Sequence, residues 1–523
     1  MLRLRHLPIA LLLSSATTAH SQIVETIAPN RYVVVYKSGI VPADAESQIA
    51  LAGGHLTAHL DRFGMVAVSF DTAAAQSNLA AQPGVAMVLH DRYVTAHSIL
   101  FSIQNATKPN TVTYPGPIAP APFFPITPFH PNPYPILFAP ETDIFYDSPQ
   151  GWAVQQAGGF GDNIPGASPT GPWNTSKGAG VRIAILDTGV DQSHPDIAPN
   201  LVFNLSEINQ SPITGLPSAC DDGTPQDQTG HGTWTASLAT GALGPSTGNV
   251  IGVAPQASLL NIKVLERLPG AGATPTAACE SGQGSGLLSW VLQGIDDAVA
   301  NPADIISLSL GTLVDLSTGD GAGWKSQFDA VTNTAAQSGT IIVAALGNNG
   351  AQLPNGTLIE LPAEAASVLP VVASTNPACA ENLAANATCT PGPITRPYYS
   401  NYGDPNAIAA PGGSYPEGST TDPANSVSGY IMGACTNGLA NTTDGLPANG
   451  QSFGCFNLGH IRYVQAMGTS ASASLVAGAA AILHAAHPTW TAAKIISTLQ
   501  TSATRLPTIT TPVLNLPAAL AVN

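Results

Sequence analysis

The stretch Val181-Arg182-Ile183-Ala184-Ile185-Leu186-Asp187 begins just after Gly180 and ends on a carboxylate. A short apolar run of this kind reads as a strand buried on both faces. Four more runs follow, at Leu259–Val264, Ile305–Leu310, Ile341–Ala345 and Val371–Ala373. Helix-like segments accompany them at Leu287–Ala300, Phe328–Gln337 and Trp490–Leu499. Strand alternating with helix predicts an α/β fold, a parallel sheet flanked by helices. Ligands bind such sheets beyond the carboxyl ends of the strands, which is where Asp187 falls.

Composition narrows the class. Lys and Arg number 16 and Asp and Glu 32 among 523 residues, a net charge of −16. Nucleic-acid binding needs clustered cations, and this sequence has no basic patch. Charged residues are 9% of the chain and hydrophobic residues 44%, which provides for a large core and excludes global disorder. Beyond the N-terminus no apolar run reaches the ~18 residues of a membrane span.

The chain divides into four parts. Residues 1–21 read as a secretory signal peptide: Arg3, Arg5 and His6, apolar Leu7–Leu13, then Ala19-His20-Ser21 before Gln22. The expected location is therefore extracellular. Residues 22–97 read as a small α+β domain, with strands at Tyr32–Tyr36, Met65–Phe70 and Val85–Leu89 and a break at Gly53-Gly54. Residues 98–149 carry a proline every few positions, which excludes a helix or sheet interior. An extended linker and a loop wrapped on the domain surface both fit. Residues 150–523 form the large α/β domain, in which 412–460 read as long loops.

Six cysteines suit an oxidising compartment. Nearest-neighbour pairing gives Cys220 with Cys279, Cys379 with Cys389 and Cys435 with Cys455; six buried free thiols are the alternative. No C-x-x-C pair supports a zinc ribbon or thioredoxin chemistry.

Three motifs carry reactive side chains: Asp187-Thr188-Gly189, Gly230-His231-Gly232-Thr233 and Gly468-Thr469-Ser470-Ala471-Ser472. Alone, each is an ordinary turn, a satisfied histidine or a helix cap. Asp-Thr-Gly also occurs in aspartic peptidases, but a second copy is lacking. Together they make a proton relay. A Ser hydroxyl needs a base, His231 can supply one ring nitrogen, and Asp187 can hold the other. Ser470 precedes the apolar run Leu475–Ala486, so it stands at a helix start, where the dipole favours a developing anion.

In this order and with these flanking residues the chain resembles the subtilisin-like serine peptidases from about Trp152 to Leu506. The resemblance implies Asp187 as orienting acid, His231 as general base and Ser470 as nucleophile. It implies an oxyanion hole from Asn348, within Ala344–Gly350, and the backbone N–H of Ser470. Ser309, Leu310 and Gly311 resemble the strand lining the primary specificity pocket. Gly284, Ser285 and Gly286 resemble the strand that pairs with an extended substrate. Leu361-Pro362-Ala363 resembles the pocket floor and puts Glu360 near it, where a carboxylate favours Lys or Arg; a solvent-facing Glu360 is the competing reading. Asp196 matches a calcium ligand of the family by its distance from Asp187, but the partner loop 244–250 lacks the usual asparagines. The chemistry implied needs no cofactor, and calcium would serve stability. Residues 22–97 resemble the subtilisin propeptide, a folding helper and inhibitor removed by self-cleavage, with a mature N-terminus between Ser98 and Gln150.

The expectation is a secreted, monomeric serine endopeptidase acting on proteins or peptides and inhibited by its own propeptide. Two departures matter. The family's Met-Ala-x-Pro after the nucleophile is replaced by Ala471-Ser472-Ala473-Ser474, which alters packing rather than the relay. Insertions surround the cleft at 207–228, 267–283 and 412–463. These motivate a catalytically silent binding module as an alternative. A sedolisin-like acid peptidase shares Gly-Thr-Ser-Ala-Ser but uses Glu in place of His, and the intact Gly-His-Gly-Thr weighs against it.

Overall fold

The computed structural model describes residues 27–96, 151–158, 171–208, 217–243, 250–375, 393–414, 431–439, 443–444, 454–458 and 461–523, apart from residues 71 and 271. The signal segment, the proline-rich stretch and the pair Cys379 and Cys389 lie outside the described residues.

The N-terminal module consists of β1 (Ile27–Tyr36), α1 (Ala45–Leu51), β2 (Gly54–Leu60), β3 (Met65–Phe70), α2 (Ala73–Ala80) and β4 (Val85–Ala96). β1 pairs antiparallel with β3 and β4, and β2 with β3. Successive strand side chains point to opposite faces. Tyr32, Val34 and Tyr36 therefore pack with Ile49 of α1 and Leu79 of α2, while Val33 and Val35 join the core of the large domain.

The large domain runs through α3 (Trp152–Gln156), β5 (Arg182–Asp187), β6 (Leu201–Ser206), α4 (His231–Thr240), β7 (Ser258–Lys263), β8 (Leu265–Leu268) and α5 (Pro275–Glu280). Next come β9 (Gln283–Leu287), α6 (Leu288–Ala300), β10 (Ile305–Leu308), β11 (Leu310–Asp315), α7 (Gly319–Gln337), β12 (Ile341–Ala345), β13 (Leu358–Leu361), β14 (Val368–Ser374) and β15 (Ile408–Pro411). It closes with β16 (Ile431–Ala434), β17 (Thr443–Asp444), β18 (Gly454–Leu458), β19 (Ile461–Ala466), α8 (Thr469–Ala486), α9 (Ala492–Ser502), β20 (Thr504–Leu506), β21 (Ile509–Val513) and α10 (Leu516–Leu520).

The central sheet has the order β20-β21-β15-β14-β12-β10-β5-β7-β6 and is parallel except for the β20–β21 pair. The chain lays β6 and β7 on one side of β5 and β10, β12 and β14 on the other. The order reverses beside β5, so a crevice opens at the carboxyl ends of β5 and β10. α4, α8 and α9 pack on one face and α6 and α7 on the other. Among the described residues α8 alone is long and apolar enough to cross a membrane, with mean hydropathy 1.3, but 83% of that stretch is buried. It is the core helix.

Three readings need correction. The single strand expected at Ile305–Leu310 breaks at Ser309 into β10 and β11, which belong to different sheets. The stretch expected as long loops, 412–460, carries β16–β18, which with β19 form a small separate sheet. The helix expected from Phe328 begins at Gly319; three glycines in its first turns hide its start, which Thr318 caps through Gly321 N.

β4 is shared. Its first half pairs with β1, and its second half pairs antiparallel with β9 (Val94 with Gly286, Thr95 with Ser285) and with β11 (Thr95 with Gly311, Ala96 with Leu310). Polar contacts seat it on two helix starts. Asp91 accepts from the backbone N–H and hydroxyl of Ser289 in the first turn of α6. His90 Nδ1 lies 2.7 Å from Asp320 Oδ2 at the start of α7, and Trp324 Nε1 donates to the His90 carbonyl at 2.8 Å. Arg62 pairs with Asp296 on α6.

Asp91 is 2% exposed, and burial raises its carboxyl to about 6, against the pull of Ser289, the Arg92 N–H and Arg31. A raised carboxyl binds a proton in the folded chain that the unfolded chain has already released. Its stabilisation is complete below the ordinary aspartate range and is lost as pH rises through about 6. A shift of two units is on the order of 3 kcal/mol. In the full-length chain, the difference in melting temperature between the Asp91→Asn variant and its parent should change as pH rises from about 4 to about 6 and level off above that. A difference flat between pH 4 and 8 would show that Asp91 does not titrate in this way.

Candidate active site

Asp187 is the last residue of β5, His231 the first of α4 and Ser470 the second of α8. All three are fully buried. What brings the first two together is backbone contact. A Cβ at Gly232 would fall 2.0 Å from the Gly189 carbonyl oxygen, so only glycine lets α4 settle on the turn after β5.

His231 Nδ1 then lies 2.6 Å from Asp187 Oδ1. That oxygen also accepts from Thr188 N at 2.7 Å, and Oδ2 accepts from Thr235 Oγ1 at 3.1 Å. A carboxylate partner fixes the tautomer: Nδ1 carries the proton and Nε2 accepts. Ser470 Oγ is 3.0 Å from Nε2 and 3.2 Å from the Ser309 carbonyl oxygen. An imidazole, not a Glu carboxylate, bridges the acid and the serine.

Asn348 follows β12. Its Oδ1 accepts from Thr469 N at 3.0 Å and Thr469 Oγ1 at 2.9 Å, which turns its amide nitrogen away from that contact. Sequence reading missed the residue that holds this loop. Asn401 is fully buried, accepts from Asn349 N and Ala351 N at 3.0 and 2.9 Å, and donates to the Leu346 carbonyl at 2.8 Å. Only its place in a Ser-Asn-Tyr-Gly string marks it, and that string carries no periodic signal.

Gly284, Ser285 and Gly286 lie on β9, Leu310 and Gly311 on β11, and Ser309 between β10 and β11. Together they form the two walls of a cleft, and β4 lies between them. Ser285 Oγ donates to the Val94 carbonyl at 3.1 Å. A Cβ at Gly286 would fall 2.1 Å from the Val264 carbonyl oxygen, which explains the glycine. Glu360 is 1% exposed, so the solvent-facing reading fails. It lies on β13, opposite Leu313 of β11, beside Glu364, whose carboxyl burial raises to about 7.

Behind the serine, the substituted residues are accommodated. Ser472 Oγ donates to the Ala410 and Pro411 carbonyls, Ser474 Oγ to the Ser470 carbonyl, and the relay distances stand as above. Two disulfides tie the insertions. Cys220 and Cys279 form a disulfide that staples two of them, and Cys435 and Cys455 close the third. Buried Lys263 pairs with both oxygens of Asp221 at 2.8 Å beneath the first.

Asp196 is fully buried and accepts from Val250 N at 3.3 Å, with His194 Nδ1 3.8 Å away. Residues 244–249 of its partner loop lie outside the described residues. Among the described residues no group of three His, Cys, Asp or Glu is placed to hold a metal.

Known proteins are similar to this chain. The chain is 34% identical over 183 residues to thermitase of Thermoactinomyces vulgaris, covering 35% of this chain and 53% of that one. It is 30% identical over 333 residues to subtilisin NAT of Bacillus subtilis subsp. natto, covering 63% and 62%. The chain thus spans between half and two thirds of the length of these curated relatives. Two solved structures share the fold at 18% identity. One is fervidolysin of Fervidobacterium pennivorans, a keratinolytic enzyme related to subtilisin, with TM-score 0.60 over 95% of this chain and 61% of that one. The other is the epidermin leader peptide processing serine protease of Staphylococcus aureus, with TM-score 0.56 over 94% and 98%. The sequence pattern of the Subtilase family spans residues 178–515, from just before β5 to just before α10, and the chain belongs to that family.

Proposed function

We propose that the protein is an exported serine endopeptidase made as a self-processing precursor. The observation that carries this reading is the buried line of contacts from Asp187 to His231 at 2.6 Å and from His231 to Ser470 at 3.0 Å. In it Ser470 Oγ attacks the peptide carbonyl while His231 Nε2 takes the hydroxyl proton. Asp187 holds the Nδ1 proton and balances the imidazolium. The Asn348 amide and Ser470 N–H donate to the oxyanion. His231 then protonates the leaving amine, and water removes the acyl group from Ser470 by the reverse route. No cofactor enters this chemistry, and calcium would act on stability alone. The signal pattern at 1–21 and the two disulfides support export.

The N-terminal module reads as a propeptide that inhibits in place. Its strand β4 enters the cleft as an extended substrate would. Thr95 pairs with Gly311 and Ala96 with Leu310, so the last residue of β4 lies opposite the neighbour of Ser309, whose carbonyl is beside Ser470 Oγ. On this reading self-cleavage falls after β4, and the mature chain begins between Ser98 and Gln150. Buried Glu360, two strands from β4, supports a preference for a basic residue before the cut.

Intact mass of the secreted protein beside its Ser470→Ala variant tests the reading. Wild type alone should lose its N-terminal segment, leaving a chain that starts between Ser98 and Gln150; a wild type that stays whole, without labelling by a serine-directed fluorophosphonate, would mean a silent fold. Asn348→Ala should lower kcat of the mature enzyme about 10²–10³-fold with KM little changed. A peptide-library profile should be enriched in Lys or Arg before the cut, and one confined to large apolar residues would remove Glu360 from the pocket.

A further inference from the structure

One buried carboxylate outside the relay joins the two turns that carry it. Asp227 is fully buried and accepts six hydrogen bonds. Its Oδ1 accepts from Thr188 Oγ1 at 2.9 Å, Thr229 N at 2.8 Å, Thr229 Oγ1 at 2.9 Å and Gly230 N at 2.9 Å. Its Oδ2 accepts from Thr233 N at 3.0 Å and Thr233 Oγ1 at 2.7 Å. Thr188 follows Asp187, and its hydroxyl in turn accepts from Gly232 N at 2.8 Å. Gly230 and Thr233 flank His231 at the start of α4. The carboxylate therefore links the segment that carries the acid to the segment that carries the base.

The location has an electrostatic side. His231 is the first residue of α4, at the positive end of the helix dipole. That end opposes the imidazolium formed during proton transfer. A carboxylate bonded to the N–H groups of Gly230 and Thr233 offsets it, and Arg267 also lies within reach of its charge.

A second contact grips Asp227 from outside. Thr436, fully buried, donates through Oγ1 to the Asp227 carbonyl at 2.7 Å and accepts from Gln226 Nε2 at 3.2 Å. Thr436 follows Cys435, whose disulfide to Cys455 lies directly against Gly230: a Cβ at Gly230, where φ is +92°, would fall 2.9 Å from the Cys435 sulfur. Arg462, on β19, ties down the same loop through the Thr436, Asn437 and Leu439 carbonyls.

We propose that Asp227 is a positioning residue for His231, held in register by Thr436 of the disulfide-closed excursion. The inference rests on the peptidase reading above. Its test compares mature wild type, Asp227→Asn, Thr436→Val and Thr436→Ser, with kcat and KM for a chromogenic peptide normalised to fluorophosphonate-labelled sites. Misfolded protein drops out of that normalisation. Asp227→Asn should lower kcat about 10- to 100-fold with KM within about twofold, because a misplaced relay costs turnover rather than binding. Thr436→Val should lower kcat about three- to tenfold, and Thr436→Ser, which keeps the hydroxyl, should restore it. Should Asp227→Asn fail to mature, the Thr436 pair decides. Unchanged kcat in Thr436→Val, or equal losses in Thr436→Val and Thr436→Ser, would overturn the proposal, as would an Asp227→Asn enzyme with wild-type kcat. A wild type that neither labels nor turns over fails at the earlier step and takes the inference with it.

Discussion

The first turn of α4 rests on the backbone of the turn after β5, with Gly232 against the Gly189 carbonyl at a separation no side chain could share. That contact fixes the distance between two elements that carry no covalent link nearby. It delivers His231 to Asp187 with nothing left to adjust, and the threonines around it, Thr188, Thr233 and Thr235, convert proximity into fixed orientation. Ser470 arrives from a third direction on α8, whose first fifteen residues are buried without exception. Rigid elements thus set each reactive atom, and no mobile side chain has to search for its partner. Preorganisation of this kind lets hydrogen bonds in a dry site act at full strength.

Much of this was legible in the sequence because each relay residue sits at a change of pattern. Asp187 ends an apolar run, His231 stands between glycines, and Ser470 opens the most apolar helix. Strands alternating with helices announce a parallel sheet, but not where its order reverses. Other features were hidden for physical reasons. Ser309 interrupts an apolar stretch without any turn-forming residue, so nothing local announces that the chain leaves one sheet for another there. The strands β16–β19 are short and lie among glycines, asparagines and threonines, whose composition speaks for loops. Only the tertiary fold supplies their partners.

Buried polar residues were the least legible. Asn401 and Asp227 lie in polar stretches with no periodic pattern, yet both are fully buried and accept from backbone donors. A carboxylate in a polar string carries no mark of whether it will meet water or six N–H and O–H groups. Glu360 failed in the same sense: exposure is the ordinary state of a glutamate, and here burial prevails.

β4 runs unbroken from Val85 to Ala96, half in the N-terminal module and half between β9 and β11. The strand behaves as a beam clamped at one end. Its free end keeps the extended shape that fills the cleft only while β1 grips the other end and α1 and α2 brace the module from behind. The short cleft half is paired on both edges, with β9 and β11, but its own backbone runs straight back into the module. Nicking the module at its exposed face, where Leu51 is 89% exposed, would loosen the clamp and empty the cleft without any competitor entering it.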